Sequence, residues 1–178
     1  MITLKKASQQ AQNITDKSLP SLSALRNWAS IGCIQRPISY HSKGRGGRVG
    51  QYNDSLPIQI AIIPEMKEDG FTLKEISEVS NILFDKLSSL NDFQFKSEDF
   101  FKKTKKKIIN DLISQNDFST QKKYYKDGSI QMHLFEEENF SQLIKIKKTI
   151  NIAEKYIDVW REKELKLNKL NNKNRKVE

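Results

Sequence analysis

The segment from residue 35 to residue 52 most constrains the fold of this chain, because its composition differs from the helical sequence on both sides. It holds four basic side chains, no acidic one, and four of the seven glycines of the 178-residue chain. The stretches at residues 38–40 and 49–52 favour β-strands, so a β-hairpin is predicted. Its basic tip has two interpretations: a solvated cationic surface loop, or an arm whose glycines let arginines follow a phosphate backbone.

Two short helices are predicted before this segment. Residues 4–13 are rich in Ala and Gln and contain no helix breaker, and residues 16–20 indicate a turn. The second helix is expected to begin at Ser21 and to end at Gly32, where a left-handed cap is typical. Two helices joined by a turn are the unit of a helix-turn-helix, and a following hairpin makes the arrangement winged.

A third helix is predicted to follow the hairpin. It is expected to start at Asp54 or Ser55, with Pro57 in its first turn, and to close at Gly70. Pro64 lies inside this helix and is expected to bend or shorten it.

A capping box marks the start of the next helix, since Thr72 is followed three residues later by Glu75. Its predicted apolar face consists of Ile76, Val79, Leu83, Leu87 and Leu90. The expected fold is therefore mainly α: a winged helix-turn-helix with a small β-hairpin wing in residues 1–90, followed by a helical C-terminal region in residues 91–178. That second region is expected to hold a short hairpin and a long terminal helix.

Four stretches of the first half resemble the MerR family of bacterial transcription regulators. Residues 25–28 (Leu-Arg-Asn-Trp) are similar to the Leu-Arg-aromatic-Tyr signature of the family's recognition helix, and Gly32 falls at the position of its Gly-Leu turn. Residues 48–52 resemble the end of the family's wing. Residues 70–76 (Gly-Phe-Thr-Leu-Lys-Glu-Ile) resemble its Gly-Phe-Ser-Leu-Glu-Glu-Ile run. The likeness covers residues 4–85, and Asn27 stands where the family has an aromatic residue.

The resemblance implies a homodimer that binds operator DNA through both winged units and often distorts a promoter so that RNA polymerase can use it. We therefore predict a sequence-specific transcription regulator that binds double-stranded DNA. Its second helix is expected to enter the major groove, and its basic wing is expected to lie on the phosphate backbone.

The candidate DNA-contacting residues lie in the second helix and in the wing. Four polar side chains of the helix are predicted to contact bases or phosphates: Ser21, Ser23, Arg26 and Asn27. Three cations of the wing are predicted to bind phosphates or a minor groove: Lys43, Arg45 and Arg48. Trp28 either anchors the helix in the core or contacts the DNA backbone. Tyr52 either buttresses the hairpin or donates its hydroxyl to a phosphate.

The second half begins with a predicted helix and a predicted hairpin. Ser97, followed by two acidic residues, is expected to open a helix. The lysines at residues 102–107 of this helix form either a second phosphate-binding face or a solvated surface. Asp127 and Gly128 then predict a tight hairpin turn.

A long helix is predicted from Phe140, because no Gly or Pro follows this residue. Apolar residues recur in it every three or four positions, as in a heptad seam: Leu143, Ile146, Ile150, Ala153, Ile157 and Trp160. The seam has two interpretations, a helix packed inside its own domain or a helix that pairs two subunits. The charged, Asn-rich residues 161–178 are expected to fray.

The charge of the chain favours an acidic partner. The formal net charge is +9 at pH 7, with +6 in residues 1–60 and +8 in residues 101–178, whereas residues 61–100 carry −5. The two histidines stand in no catalytic motif and Cys33 is interpreted as a small buried residue, so no enzyme, metal site or cofactor is predicted. Without a signal sequence or a membrane-spanning stretch, a cytoplasmic protein is expected. The alternative function is a protein-interaction adaptor that uses the C-terminal helices.

Overall fold

The computed structural model describes residues 1–43, 47–90, 92–115 and 137–174. These residues form a mainly helical fold with a small three-stranded antiparallel sheet, so the predicted mainly-α class with a small hairpin is confirmed. The helices are α1 (Leu4–Gln12), α2 (Leu22–Ser30), α3 (Leu56–Glu68), α4 (Leu73–Ser88), α5 (Asp92–Lys96), α6 (Glu98–Gln115) and α7 (Glu137–Asn174). The strands are β1 (Ile2–Thr3), β2 (Ser39–Lys43) and β3 (Gly47–Tyr52).

Both ends of α2 are fixed by the residues that the sequence marks for this role. The Oγ of Ser21 accepts a hydrogen bond from the N–H of Ala24 at 3.3 Å. At the other end Gly32 has a φ of +83°, a conformation that side chains other than glycine's rarely adopt. The N–H of Cys33 can then donate to the carbonyl of Trp28 at 2.9 Å, which closes a Schellman cap. The predicted start and end of this helix are confirmed.

In the sheet, β3 is the central strand, and β1 and β2 pair with it antiparallel on either side. β2 and β3 form the predicted hairpin, with Tyr40 opposite Gly50. Residues 44–46, which connect them, lie outside the described residues. The sequence did not predict β1, whose Ile2 lies opposite Tyr52. Because β1 leads directly into α1, this pairing ties the hairpin to the first helix.

α3 crosses the core, and its residues 56–63 are all buried. Ser55 precedes it as predicted, but its hydroxyl bonds to the hydroxyl of Ser88 at 2.8 Å and makes no capping hydrogen bond. The helix continues past Pro64 to Glu68, so of the two predicted effects the proline does not shorten it, and the predicted close before Gly70 is confirmed. α3 packs against α1, α4 and α7, and this packing outweighs the one backbone hydrogen bond that a proline cannot donate.

Gly70 and Thr72 set the passage from α3 to α4. Gly70 has a φ of +88°, and its N–H donates to the carbonyl of Lys67 at 3.0 Å. The Oγ1 of Thr72 accepts from the N–H of Glu75, and the carboxylate of Glu75 accepts from the N–H of Thr72, so the capping box is confirmed. The predicted apolar face of α4 is buried at Ile76, Val79, Leu83 and Leu87, and half-buried at Leu90.

α7 packs its apolar face against the rest of the chain. Ala153, Ile157 and Trp160 of the predicted seam are buried in a core shared with α3, α4 and α6. This part of the seam therefore agrees with the interpretation of a helix packed within its own chain. The side chains of Leu143 and Ile146 lie outside the described residues.

The end of α7 does not fray. The prediction of fraying is wrong for residues 161–174, which continue the helix, with Lys163 and Leu167 buried. Tertiary packing decides helix stability more than composition does. Apolar residues of α7 join the same core as those of α3 and α4, and the division into domains at residue 90 stays a prediction. The predicted hairpin turn at residues 127–128 lies outside the described residues.

Candidate nucleic-acid interface

α2 presents one polar face to solvent and one apolar face to the core. Leu25 and Trp28 are buried, whereas Ser23, Arg26 and Asn27 are exposed. This separation follows from apolar residues that recur at helical spacing. Three of the predicted contact residues are therefore accessible to a ligand that lies along α2.

Two other predicted residues of α2 have structural roles. Ser21 is exposed at the N-terminal end of the helix, and its hydroxyl oxygen already caps the first turn. Trp28 is 6% exposed and belongs to the core. Of the two roles considered for Trp28, its burial favours core anchoring, because a buried indole cannot reach a DNA backbone.

Strand alternation puts Arg48, Gly50 and Tyr52 on one face of the hairpin, with Tyr40 opposite Gly50. Arg48 is exposed, whereas Tyr52 is 5% exposed. The burial of Tyr52 favours a buttressing role over donation of its hydroxyl to a phosphate. A Cβ added to Gly50 would lie 3.0 Å from the ring of Pro37, so this glycine allows the hairpin to pack closely on the segment that follows α2.

The electrostatics of Tyr52 link α2 to the hairpin. Burial raises the pKa of Tyr52, its neighbour Tyr40 raises this pKa further, and the positive charge of Arg26 lowers it. A guanidinium lowers the pKa of a phenol in this way only from a short distance. The charge of Arg26 on α2 therefore acts on a buried residue at the base of the hairpin.

Three exposed residues that the sequence did not single out as contacts lie at the end of α2 and on the hairpin. Arg36 donates from Nη2 to the carbonyl of Ser30 at 3.2 Å, at the C-terminal end of α2. Tyr40 is 60% exposed and Ile38 is 58% exposed at the edge of the hairpin. The alternation opposite Gly50 is a signal that could have identified Tyr40. The position of Arg36 depends on the path of the chain after α2, and no local sequence pattern predicts this path.

Two predicted wing residues fall at the limit of the described chain. Lys43 ends β2, but its side chain lies outside the described residues, as does all of Arg45. Their contact with DNA stays a prediction.

The C-terminal end of α2 rests on α4. The hydroxyl of Ser77 in α4 donates to the carbonyl of Ile31 at 2.7 Å, and a Cβ added to Gly32 would lie 3.0 Å from this hydroxyl oxygen. Cys33 is fully buried, and its thiol donates to the carbonyl of Leu73 at 3.2 Å. Desolvation raises the pKa of Cys33 to about 11. This thiol therefore supports the packing of α2 on α4 and lacks the low pKa of a sensor cysteine.

Other kinds of site find no support in the part of the chain that the structure describes. No group of three or more His, Cys, Asp and Glu side chains there is arranged to hold a metal ion. None of its helices combines the length and the apolar character that crossing a bilayer requires. Comparisons of the chain with known protein families, with curated proteins and with solved structures find no match.

Proposed function

We propose that this protein is a sequence-specific transcription regulator of the MerR type that binds double-stranded DNA. The observation that carries the proposal is the exposure of Arg26 and Asn27 on α2 and of Arg48 on the hairpin. It supports a single cationic surface formed by the exposed face of α2 and the hairpin. Such a surface is what a helix in the major groove and a wing on the adjacent backbone require.

The residue types on α2 suit the edges of base pairs. The forked guanidinium of Arg26 suits the two acceptors of guanine, and the amide of Asn27 suits the acceptor and donor of adenine. The hydroxyl of Ser23 can donate to or accept from either kind of group. Arg36 and Arg48 suit phosphates, because a guanidinium donates two parallel hydrogen bonds to phosphate oxygens. In this arrangement α2 reads the sequence and the arginines fix its position.

The proposal includes a cytoplasmic homodimer and promoter DNA that RNA polymerase uses, as the resemblance implies. A two-fold-symmetric dimer binds two half-sites and doubles the number of phosphate contacts. The contact between the two subunits would not include Ala153, Ile157 and Trp160, because these seam residues are buried within the chain.

Selection of bound fragments from random DNA, followed by fluorescence anisotropy across salt concentrations, tests the proposal. If each of two subunits neutralises about four phosphates, log affinity falls with log salt at a slope of about −7. Arg45→Ala with Arg48→Ala is expected to weaken binding to all sequences equally, whereas Arg26→Ala also relaxes the selected sequence. Lys106→Ala with Lys107→Ala is the matched control, because it removes the same charge from exposed positions on α6.

Two results would contradict the proposal. The first is no binding at low salt, or an affinity that does not depend on salt. The second is an equal loss of affinity in the wing variant and in the α6 control. That result would mean that net charge, or a phosphate-binding face on α6, determines binding as much as α2 and the hairpin do.

A further inference from the structure

The last turns of α7 lie beside α1. The side-chain amide of Gln10 in α1 donates to the side-chain oxygen of Asn171 in α7 at 3.4 Å. Asn13, which follows α1, lines an open cavity together with Lys166, which comes earlier in α7.

The cavity between these segments has a volume of about 400 Å³ and is bordered mainly by cationic and amide side chains. Its lining consists of Asn13, Lys166, Lys169, Leu170, Asn172 and Lys173. The three lysines recur after three and four residues, which puts them on one face of α7. All three are exposed, so their ammonium groups are accessible from solvent.

Among the described residues, negative charge lies at the N-terminal end of this face. Lys166 pairs with Glu162 at 2.6 Å, and Asp16 is near enough to Glu162 to raise the pKa of its carboxyl, although Lys166 lowers that pKa more strongly. Within the residues that the structure describes, neither Lys169 nor Lys173 has an acidic side chain within salt-bridge distance. The positive charge therefore increases toward the C-terminal end of α7.

α1 contributes a further cation on the same side. Lys6, Gln10 and Asn13 stand at i, i+4 and i+7, so they share one face of α1. Gln10 bonds to α7, so the exposed Lys6 lies one helical turn before the contact between α1 and α7. We use the name lysine strip for four residues: Lys6, Lys166, Lys169 and Lys173.

Packing beneath the lysine strip holds its backbone in place. Leu167 and Lys163 are each 4% exposed, and the ammonium of Lys163 lies 2.5 Å from the carboxylate of Glu65 in α3. Because the helix is already fixed, a ligand has only side chains to immobilise. At the Lys6 end, α1 follows β1, which pairs with β3. The strip therefore ends near the sheet that carries the hairpin.

We propose that the lysine strip is a second phosphate-binding surface, which holds the backbone of the bound duplex outside the segment contacted by α2 and the hairpin. This inference rests on the proposed DNA binding. Ammonium groups suit the role, because they are compact point charges that bind phosphate without reading a base. The strip thus adds affinity and salt dependence but no sequence preference.

The test compares the full-length protein with its Lys169→Ala, Lys173→Ala variant on two duplexes centred on the selected site. One duplex has about 20 base pairs, enough for two half-sites, and the other has about 40. On the longer duplex the variant is expected to show a salt slope less steep by about 1.8 for each subunit. On the shorter duplex its affinity is expected to equal that of the wild type. Lys106→Ala with Lys107→Ala on α6 is again the control of equal charge.

The outcomes separate this inference from the proposed function. If the wild type binds neither duplex at low salt, the proposed function fails. If the wild type binds and the variant keeps the full slope on the longer duplex, only the lysine strip fails. If the variant loses equal affinity on both duplexes, the lysine strip does not bind the DNA that flanks the selected site. If the α6 control loses as much affinity as the variant, the loss comes from net charge and not from a contact at the lysine strip. Lys169 and Lys173 are exposed, so the variant is expected to melt at the wild-type temperature.

Discussion

The buried ion pair between α3 and α7 leads to a quantitative stability prediction. The Nζ of Lys163 lies 2.5 Å from the Oε1 of Glu65, and the two side chains are 6% and 22% exposed. Glu65→Gln keeps the shape of the side chain but leaves the ammonium buried without a counter-charge. Breaking a buried pair costs about 3 to 5 kcal/mol, and we expect about 3 because water reaches part of Glu65. In a chain of this length the melting temperature is then expected to fall by about 6 to 12 °C.

Thermal melting followed by circular dichroism at neutral pH measures this effect. Glu162→Gln is the matched control, because the Lys166–Glu162 pair is exposed and its loss is expected to cost at most about 1 kcal/mol. Replacing both buried partners by apolar residues, as in Glu65→Leu with Lys163→Met, is expected to restore most of the stability. The reasoning is refuted if Glu65→Gln melts at the same temperature as Glu162→Gln, since α7 would then hold to α3 without this pair.

Two further predictions concern the glycine caps and the response to acid. Gly70→Ala is expected to cost about 1 kcal/mol from its positive φ, because nothing lies within 4 Å of an added Cβ. Gly32→Ala is expected to lower the free energy of unfolding by more than Gly70→Ala, since its Cβ would also lie 3.0 Å from the hydroxyl of Ser77. Urea unfolding measures both values, and equal losses in the two variants would contradict this expectation. Lys155 lowers the pKa of Asp69 from its usual 3.8, so the stabilisation is complete above about pH 5 and is lost as the pH falls through 3.8 and below. Asp69→Asn is therefore expected to lower stability at pH 7, and the difference from the wild type is expected to shrink as the pH falls below 3.8; a difference that stays constant in acid would contradict the assignment.

The ends of several helices could be predicted from the sequence, because capping depends on residues that are close along the chain. Gly32, Gly70 and Thr72 all have the predicted roles. β1 could not be predicted, since two residues form a strand only by pairing with the distant β3. The helix through Pro64 could not be predicted for the same reason. The cost of a proline inside a helix is visible in the local sequence, but the packing that offsets this cost comes from three other helices.

In the candidate interface, helical spacing predicts which side chains of α2 face solvent, and Arg26 and Asn27 are exposed as expected. The spacing contains no information on how the hairpin lies against α2. The effect of the Arg26 charge on Tyr52 and the hydrogen bond of Arg36 at the end of α2 depend on the path of the chain after α2. Tyr40 joins the surface through the register of the hairpin, which its strands and turn fix together.

The end of α7 shows how one pattern stabilises a helix and also arranges its charges. Residues 161–174 have the charged, Asn-rich composition of a segment that frays, but Lys163 and Leu167 on one side of the helix are buried against other helices. That burial keeps the backbone helical, and the helix then holds Lys166 and Lys169 in a row on its exposed side. A frayed tail of the same composition would have to lose chain entropy before its lysines could bind a row of phosphates. Substitutions that undock α7, such as Glu65→Gln, are therefore expected to weaken DNA binding on long duplexes as well as the fold.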